Sequence, residues 1–130
     1  MQETKPIRVL IVDNHSLVRE AMTRLINIQP DMKVVAEAPN GKVALDSYDQ
    51  ISPDVTLMDL SMPIMNGIET VKAIRKSHPG ARFIILSAYD FPEDIQNSLQ
   101  AGAVAYLLKD TTRDKLIRVI REVHQGHTFL

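Results

Sequence analysis

The chain has 130 residues and a formal net charge of −1, from 15 Lys and Arg against 16 Asp and Glu. Hydrophobic residues make up 45% and charged residues 24%, which is typical of one folded domain and excludes a disordered chain. The lack of cysteine excludes disulfides, thiolate metal sites and thiol nucleophiles. There is no basic excess for direct nucleic-acid contact, and no apolar run approaches the roughly 20 residues that span a membrane. Because residues 1–6 lack the apolar segment of a signal peptide, a cytoplasmic protein is expected.

Apolar patterns of two periods alternate along the chain. Short β-branched runs predict strands, and apolar residues with helical spacing predict helices. In chain order, the patterns predict strand 7–12, helix 17–26, strand 33–38, a helix that starts at 43–48 and is broken at 52–53, and strand 54–59. They then predict a helix through 68–75 that is ended by 78–80, strand 82–87, helix 92–101, strand 103–109 and helix 112–123. Ser16 or Asn14 is expected to cap the first helix, and Thr111 or Thr112 the last.

This alternation predicts an α/β fold, a doubly wound parallel sheet with helices on both faces. Four of the strands end in reactive polar residues, which are Asp13, Asp59, Ser87 and Lys109. Functional sites of open parallel sheets lie beyond the carboxyl ends of the strands, so these residues are expected to share one site. The second strand ends without such a residue and must then lie at an edge. Right-handed crossovers then give the order 2-1-3-4-5, the flavodoxin-like (βα)5 arrangement.

The residue types at these strand ends indicate a chemistry. The carboxylates of Asp13 and Asp59, with the amide oxygen of Asn14, suit a hard cation such as Mg²⁺. Lys109 offers a point charge for an anion, and Ser87 offers a hydroxyl donor. Together they suit phosphoryl transfer, with Asp59 as the nucleophile that forms an aspartyl phosphate. Taken alone, the Asp13–Asn14 pair would be interpreted as a helix cap, and Lys109 as a solvated surface lysine.

Four short segments of the chain carry a resemblance to a known family. They are Val12-Asp13-Asn14, 57–63 with Asn66-Gly67, Leu86-Ser87-Ala88 and Tyr106-Leu107-Leu108-Lys109. In this order and at strand ends they resemble the receiver domain of two-component response regulators, over nearly the whole chain. His15, Ser87-Ala88-Tyr89-Asp90 and Asp110 further resemble the NarL/LuxR-type subfamily.

The resemblance implies a role for each residue that matches the family pattern. Asp59 would accept a phosphoryl group from a phosphohistidine on a sensor histidine kinase. Ser87 and Lys109 would bind the phosphoryl oxygens, and Tyr106 would turn inward as a switch when Ser87 moves. The remaining roles implied are Mg²⁺ binding by Asp13, Asn14, Asp59 and the backbone carbonyl of Ser61, and tuning of the phosphoryl lifetime by Ser61 and Tyr89.

The resemblance also implies what surrounds the domain. Residues 1–130 would form a single receiver domain, a regulatory module whose only catalysis is its own phosphotransfer and autodephosphorylation. The ending Gly126–Leu130 resembles the stretch before a linker to a helix-turn-helix output domain, which is expected to lie outside this sequence. The implied partners are the sensor kinase, that output domain and, as a possible homodimer, a second copy. Phosphorylation is expected to alter a face built by the fourth helix, fifth strand and fifth helix, and so to change dimerisation or domain contacts.

One departure from the family pattern leaves alternatives open. Position 14 is usually an aspartate that touches the metal, and here it is Asn14, which keeps an oxygen but loses a charge. We therefore expect weaker Mg²⁺ binding with phosphorylation retained. The alternatives are a phosphorylation-independent pseudo-receiver and a free-standing receiver that acts by protein docking. A haloacid-dehalogenase-like phosphatase would require an aspartate where Ser61 stands, and His15 is expected to be a loop or capping residue.

Overall fold

The computed structural model describes residues 5–129, so Met1–Thr4 and Leu130 of the two terminal segments discussed above lie outside it. Five strands alternate with five helices. They are β1 (Ile7–Val12), α1 (Ser16–Asn27), β2 (Met32–Ala38), α2 (Gly41–Ile51), β3 (Val55–Asp59), α3 (Gly67–Ser77), β4 (Phe83–Ser87), α4 (Pro92–Ala101), β5 (Ala105–Leu108) and α5 (Arg113–His124). Within residues 5–129, no helix is long and apolar enough to cross a membrane.

The five strands form one parallel sheet in the order β2-β1-β3-β4-β5, which confirms the predicted flavodoxin-like topology. Every residue of β3 and β4 is buried, as expected for central strands covered on both faces. One apolar cluster lies under α1 and α5 and includes Ile26 and Ile120. The other lies under α2, α3 and α4 and includes Val71 and Phe83.

Local signals in the sequence explain four of the helix ends. The Asn40 side chain accepts a hydrogen bond from the Val43 amide at 2.9 Å and so caps α2. Asn66 and Glu69 form a reciprocal capping box at the start of α3. Thr112 caps α5, in agreement with the prediction, and Gly102 ends α4 with a φ of 112°.

The predicted cap of α1 was wrong. Ser16 is the first residue of the helix, and His15 occupies the N-cap position without a side-chain capping bond. The carboxylate of Asp13 instead accepts the His15 amide at 2.8 Å, so an Asx turn connects β1 to α1. The predicted fifth strand was too long, because the Ala103 amide bonds to the Ser98 carbonyl at 3.0 Å rather than to the sheet.

The chain returns to the edge of the sheet after α5. The Phe129 amide donates to the Val104 carbonyl at 2.6 Å, and Phe129 forms an isolated parallel bridge with Ala105. Elsewhere in the described part of the chain, β5 is paired on the β4 side only.

Candidate functional site

Three strand ends bring two carboxylates and one ammonium group together. Asp13 directly follows β1, Asp59 is the last residue of β3, and Lys109 directly follows β5. The Lys109 Nζ lies 2.9 Å from Oδ2 of Asp13 and 3.2 Å from Oδ1 of Asp59. The sheet order makes this possible, because β3 lies beside β1 and only β4 separates it from β5. The predicted convergence of these three residues is therefore observed.

Burial and close contacts shift the pKa values of Asp59 and Lys109 in this cluster. Asp13 is 0% exposed and Asp59 3% exposed. Burial and the neighbouring Asp13 carboxylate raise the pKa of Asp59, and they outweigh the opposing effects of Lys109 and the Ser61 amide. Burial alone would lower the pKa of Lys109, but its contacts with Asp13 and Asp59 prevail, and its pKa is raised. Lys109 is thus held as a cation between two acidic groups.

One carboxylate oxygen in the cluster has no partner. Oδ2 of Asp59 is buried and makes no hydrogen bond within the described residues. An unsatisfied buried oxygen is costly, and receiving a ligand would relieve that cost. Donor atoms of Asp13, His15 and Asp59 lie within 4.8 Å of one another. Because carboxylates are preferred ligands of hard divalent cations, this acidic cluster fits the Mg²⁺ that was expected here.

A cavity of about 150 Å³ opens beside the Asp59 carboxylate. Its lining includes His15, Ser61, Ser87 and Lys109. Ser87 is buried at the end of β4, whereas Ser61 is exposed and donates its amide to Oδ1 of Asp59 at 3.3 Å. The cavity therefore places a hydroxyl and an ammonium group on the walls around one carboxylate. Asn14 is exposed to solvent, next to the buried Asp13.

Hydrogen bonds link Ser87 to Tyr106 through the backbone of Tyr89. The Tyr89 amide donates to Oγ of Ser87 at 3.1 Å, and the Tyr106 hydroxyl donates to the Tyr89 carbonyl at 2.7 Å. Tyr106 is half-buried, and burial raises the pKa of its phenol. The Tyr89 ring itself is exposed and stacks on Phe91, with the ring centroids 5.3 Å apart. The two residues predicted to form a switch are thus connected through residue 89.

Two contacts of Asp13 were not predicted. Nδ1 of His15 lies 3.0 Å from Oδ1 of Asp13, so His15 contacts the acidic cluster, beyond its expected role as a loop or capping residue. Nη1 of Arg19 donates to the backbone carbonyl of Asp13 at 2.6 Å, and its Nε lies 3.4 Å from the Glu37 carboxylate. The His15 contact had a sequence signal, because a residue two positions after an aspartate can meet its side chain in an Asx turn. No residue pattern in the sequence indicated the contact of Arg19 with the Asp13 carbonyl.

Comparisons with known proteins agree with this geometry. The family profile described as "Response regulator receiver domain" matches residues 9–121. The nitrate/nitrite response regulator protein NarL of Escherichia coli K12 is 34% identical over 130 residues, which are 100% of this chain and 60% of NarL. The uncharacterized transcriptional regulatory protein YxjL of Bacillus subtilis is 42% identical over 123 residues, 95% of this chain and 56% of YxjL. The chain thus spans about 60% of the length of NarL.

Solved structures show the same relationship. A LuxR-family two-component response regulator from Aurantimonas sp. SI85-9A1 superposes with a TM-score of 0.92 at 32% identity, covering 97% of this chain and 90% of that one. A LuxR-family DNA-binding response regulator from Staphylococcus aureus gives a TM-score of 0.85 at 28% identity, covering 91% of this chain and 98% of that one. Motifs, topology, buried acidic cluster and relatives all agree: this chain belongs to the response regulator receiver domain family, in its NarL/LuxR-type branch.

Proposed function

We propose that Asp59 is the phosphoacceptor of this receiver domain, and that it takes a phosphoryl group from a phosphohistidine on a sensor histidine kinase. The observation that carries the proposal is the Asp59 carboxylate itself. It is buried at a strand end, has one oxygen without a partner among the described residues, and has Lys109 3.2 Å from the other oxygen. A nucleophile held in this way needs little reorganisation before it reacts.

The proposed transfer exchanges one bond for another. A carboxylate oxygen of Asp59 attacks phosphorus, and the P–N bond to the kinase histidine breaks with its electron pair left on the imidazole nitrogen, which then takes up a proton. Lys109 and Ser87 are placed to hold the phosphoryl oxygens. The phosphoryl group is removed by hydrolysis: water attacks phosphorus, inorganic phosphate leaves and the carboxylate of Asp59 is restored. We propose that this self-catalysed transfer and hydrolysis are the only chemistry of the domain and that its role is regulatory, as membership of the receiver family supports.

We propose that Asp13, Asn14, Asp59 and the backbone carbonyl of Ser61 hold Mg²⁺. When bound, the ion supplies positive charge that neutralises the phosphoryl oxygens. The amide of Asn14 brings an oxygen without a charge, so Mg²⁺ binding is expected to be weaker than with an aspartate at this position. Asp59 and Lys109 are unaffected by that difference, which supports the retention of phosphorylation.

The proposed conformational response runs from Ser87 to Tyr106. A phosphoryl group on Asp59 would attract the Ser87 hydroxyl, which now accepts the Tyr89 amide. The shared link to Tyr89 means that such a movement changes the surroundings of the Tyr106 hydroxyl. The affected surface is the face of α4, β5 and α5. Ser61 and Tyr89 both line the cavity beside Asp59, which supports their proposed effect on phosphoryl lifetime.

In the whole protein, we propose that this face controls an attached DNA-binding output domain through domain contacts or a homodimer. Residues 1–130 would then be one receiver domain that does not itself touch nucleic acid. The response regulator NarL and the transcriptional regulatory protein YxjL are both longer than this chain, which supports the proposal. Such a regulator would act in the cytoplasm, where its sensor kinase carries the phosphohistidine.

The test is intact-mass spectrometry after incubation with acetyl phosphate and Mg²⁺. We expect one added phosphoryl group on the parent protein and none on Asp59→Asn. Labelling of both proteins would contradict the assignment to Asp59. No labelling of the parent, even at high Mg²⁺, would overturn the proposal in favour of a pseudo-receiver that works without phosphorylation.

A further inference from the structure

His15 brings an imidazole to a cluster in which the other donor atoms are oxygens. Its Nδ1 lies 3.0 Å from Oδ1 of Asp13, and its side chain is 62% exposed while that of Asp13 is 0% exposed. The same Asp13 oxygen also accepts the His15 amide at 2.8 Å, so the turn that follows β1 holds the backbone of His15 in place. The imidazole therefore stands at the solvent side of a buried carboxylate pair.

The spacing of these atoms suits a shared ion. Two donors bound to one ion at about 2.1 Å and at a right angle lie roughly 3 Å apart. The Nδ1–Oδ1 distance has this value, and donor atoms of His15, Asp13 and Asp59 all fall within 4.8 Å. Independently of His15, Oδ2 of Asp59 is buried and without a partner in the described structure, which points to a ligand at this place.

The net charge of the site determines which class of ion gains affinity from the imidazole. Asp13 and Asp59 contribute two negative charges, Lys109 offsets one of them, and Asn14 adds none. A hard ion such as Mg²⁺ depends on charged oxygen ligands and gains little from imidazole. Late divalent transition ions bind imidazole nitrogen strongly and also accept carboxylates. Because the net charge of the site is small, the neutral imidazole nitrogen of His15 therefore adds affinity for late divalent transition ions and little for Mg²⁺.

We propose that His15 supplies a nitrogen ligand to the acidic site, so that the site favours late divalent transition ions such as Ni²⁺ and Zn²⁺ over Mg²⁺. The inference rests on the metal site of the proposed function and adds to it a selectivity that the oxygen donors alone do not provide. His15 takes part in this selectivity through its ring, whereas its amide serves the turn.

The experiment measures the binding of Ni²⁺ and of Mg²⁺, each ion alone, to the parent protein and two variants by isothermal titration calorimetry. The variant is His15→Gln. The matched control is His78→Gln, because His78 forms the chain's other close contact between a histidine and an aspartate in the described structure, with Nε2 3.1 Å from Oδ1 of Asp49. We expect His15→Gln to weaken Ni²⁺ binding at least about tenfold and to change Mg²⁺ binding less than about twofold. His78→Gln should change neither.

A second measurement identifies the donor atom directly. Zn²⁺ is diamagnetic, so nitrogen-15 NMR of the imidazoles in the parent protein should show a Zn²⁺-dependent shift at His15, and none on addition of Mg²⁺. Unchanged Ni²⁺ affinity in His15→Gln, or equal losses for Ni²⁺ and Mg²⁺, would overturn the inference. So would a Zn²⁺ shift confined to other histidines.

Failure of the inference and failure of the proposed function are distinguishable. If acetyl phosphate labels Asp59 but His15→Gln leaves the ion preference unchanged, only the inference is overturned. If acetyl phosphate fails to label Asp59 while Ni²⁺ binding still depends on His15, the phosphoacceptor proposal is overturned and the metal selectivity is supported.

Discussion

Nζ of Lys109 lies 2.9 Å from Oδ2 of Asp13, although 96 positions separate the two residues along the chain. This contact joins the ends of β1 and β5, two strands between which β3 and β4 lie. It forms only when the whole sheet is assembled, because each partner depends on a different strand for its position. The contact thus ties the charge balance of the site to the completion of the fold.

Replacement of Lys109 by methionine should destabilise the protein at neutral pH. Asp13 and Asp59 would then remain buried and negatively charged without the ammonium group between them. Removal of one partner from such a cluster costs roughly 1–3 kcal/mol when that partner is partly solvated. Urea unfolding at pH 7 would measure the loss. The loss should shrink as the pH falls and Asp59, whose pKa is raised, takes up a proton; a loss that stays constant down to acidic pH would contradict the electrostatic explanation.

Asp59→Asn should stabilise the metal-free protein at pH 7. The pKa of Asp59 is raised above its ordinary value of 3.8, so the folded protein binds a proton there more readily than the unfolded chain. Ionisation of Asp59 therefore lowers the free energy of unfolding as the pH rises through the window between those two pKa values. Asn removes that cost, so the variant should be more stable than the parent at pH 7. Its higher free energy of unfolding should disappear below pH 3.8, the ordinary pKa of the carboxyl group.

The measurement for Asp59→Asn is urea unfolding at pH 7 and again below pH 3.8, with chelator present. Asp46→Asn is a suitable control, because Asp46 is exposed on α2 and its ion pair among residues 5–129 is with Lys42 of the same helix. That variant should leave the unfolding midpoint nearly unchanged. An Asp59→Asn variant no more stable than the parent at pH 7 would show that burial of this charge is not costly.

Gly67→Ala should disturb the loop that follows the phosphoacceptor candidate. A Cβ at Gly67 would collide with the backbone carbonyl oxygen of Asp59 and lie 3.0 Å from Cα of Leu60. Backbone atoms cannot move aside as a side chain can, so we expect a loss of about 1–3 kcal/mol in the free energy of unfolding. Gly80→Ala is the control, because no atom lies within 4 Å of a Cβ there. Equal stability of the two variants would contradict the prediction.

Tyr106→Phe should remove one hydrogen bond and leave the fold intact. The hydroxyl of Tyr106 donates to the Tyr89 carbonyl at 2.7 Å, and its loss should lower the free energy of unfolding by about 0.5–1.5 kcal/mol. Chemical denaturation measures this change. Tyr89→Phe keeps the backbone carbonyl and changes only an exposed ring, so it should be nearly neutral. A larger loss in Tyr89→Phe, which keeps the ring stacked on Phe91 and removes only its hydroxyl, than in Tyr106→Phe would contradict the assignment of this stabilisation to the Tyr106 hydrogen bond.

Asn14→Asp should increase the affinity for Mg²⁺. The variant adds a carboxylate next to Asp13, and hard divalent cations gain affinity from each charged oxygen ligand. Mg²⁺ titration of the variant against the parent by calorimetry tests this, with Asn27→Asp on α1 as a control for the added charge alone. Equal affinities in parent and Asn14→Asp would show that position 14 does not reach the ion.

The fold was predictable from the sequence because local and long-range signals agree. Each β-branched run is bounded by turn residues, so β3 and β4 begin within one residue of their predicted starts. The strand order followed from the chemistry of residues that needed to meet, and Asp13, Asp59 and Lys109 do meet. Periodicity alone would have left the order of the strands undetermined, because it carries no information about which strands are neighbours.

Two of the errors and omissions arise where side chains bond to backbone. Asn14 and Ser16 are both good capping residues, yet neither caps α1, because the Asp13 carboxylate holds the turn from outside the helix. The link from Tyr106 to the Tyr89 carbonyl depends on how the loop after β4 bends, which no residue pattern states. The contact of His15 with Asp13 could have been predicted from the Asx turn. That the imidazole also lies beside the acidic cluster follows only from the 3.0 Å distance between Nδ1 of His15 and Oδ1 of Asp13.

The edge position of β5 has a consequence for local opening. This strand has four residues, carries Tyr106, and is followed at once by Lys109. Among the described residues, apart from the bridge between Ala105 and Phe129, its ladder runs along one side only, so fewer bonds must break to release it than to release β1 or β3. Amide hydrogen exchange should therefore be faster in β5 than in those central strands. A displacement of β5 would carry Lys109 and Tyr106 together, so the ammonium group beside Asp13 and Asp59 and the half-buried ring of Tyr106 would move as one segment.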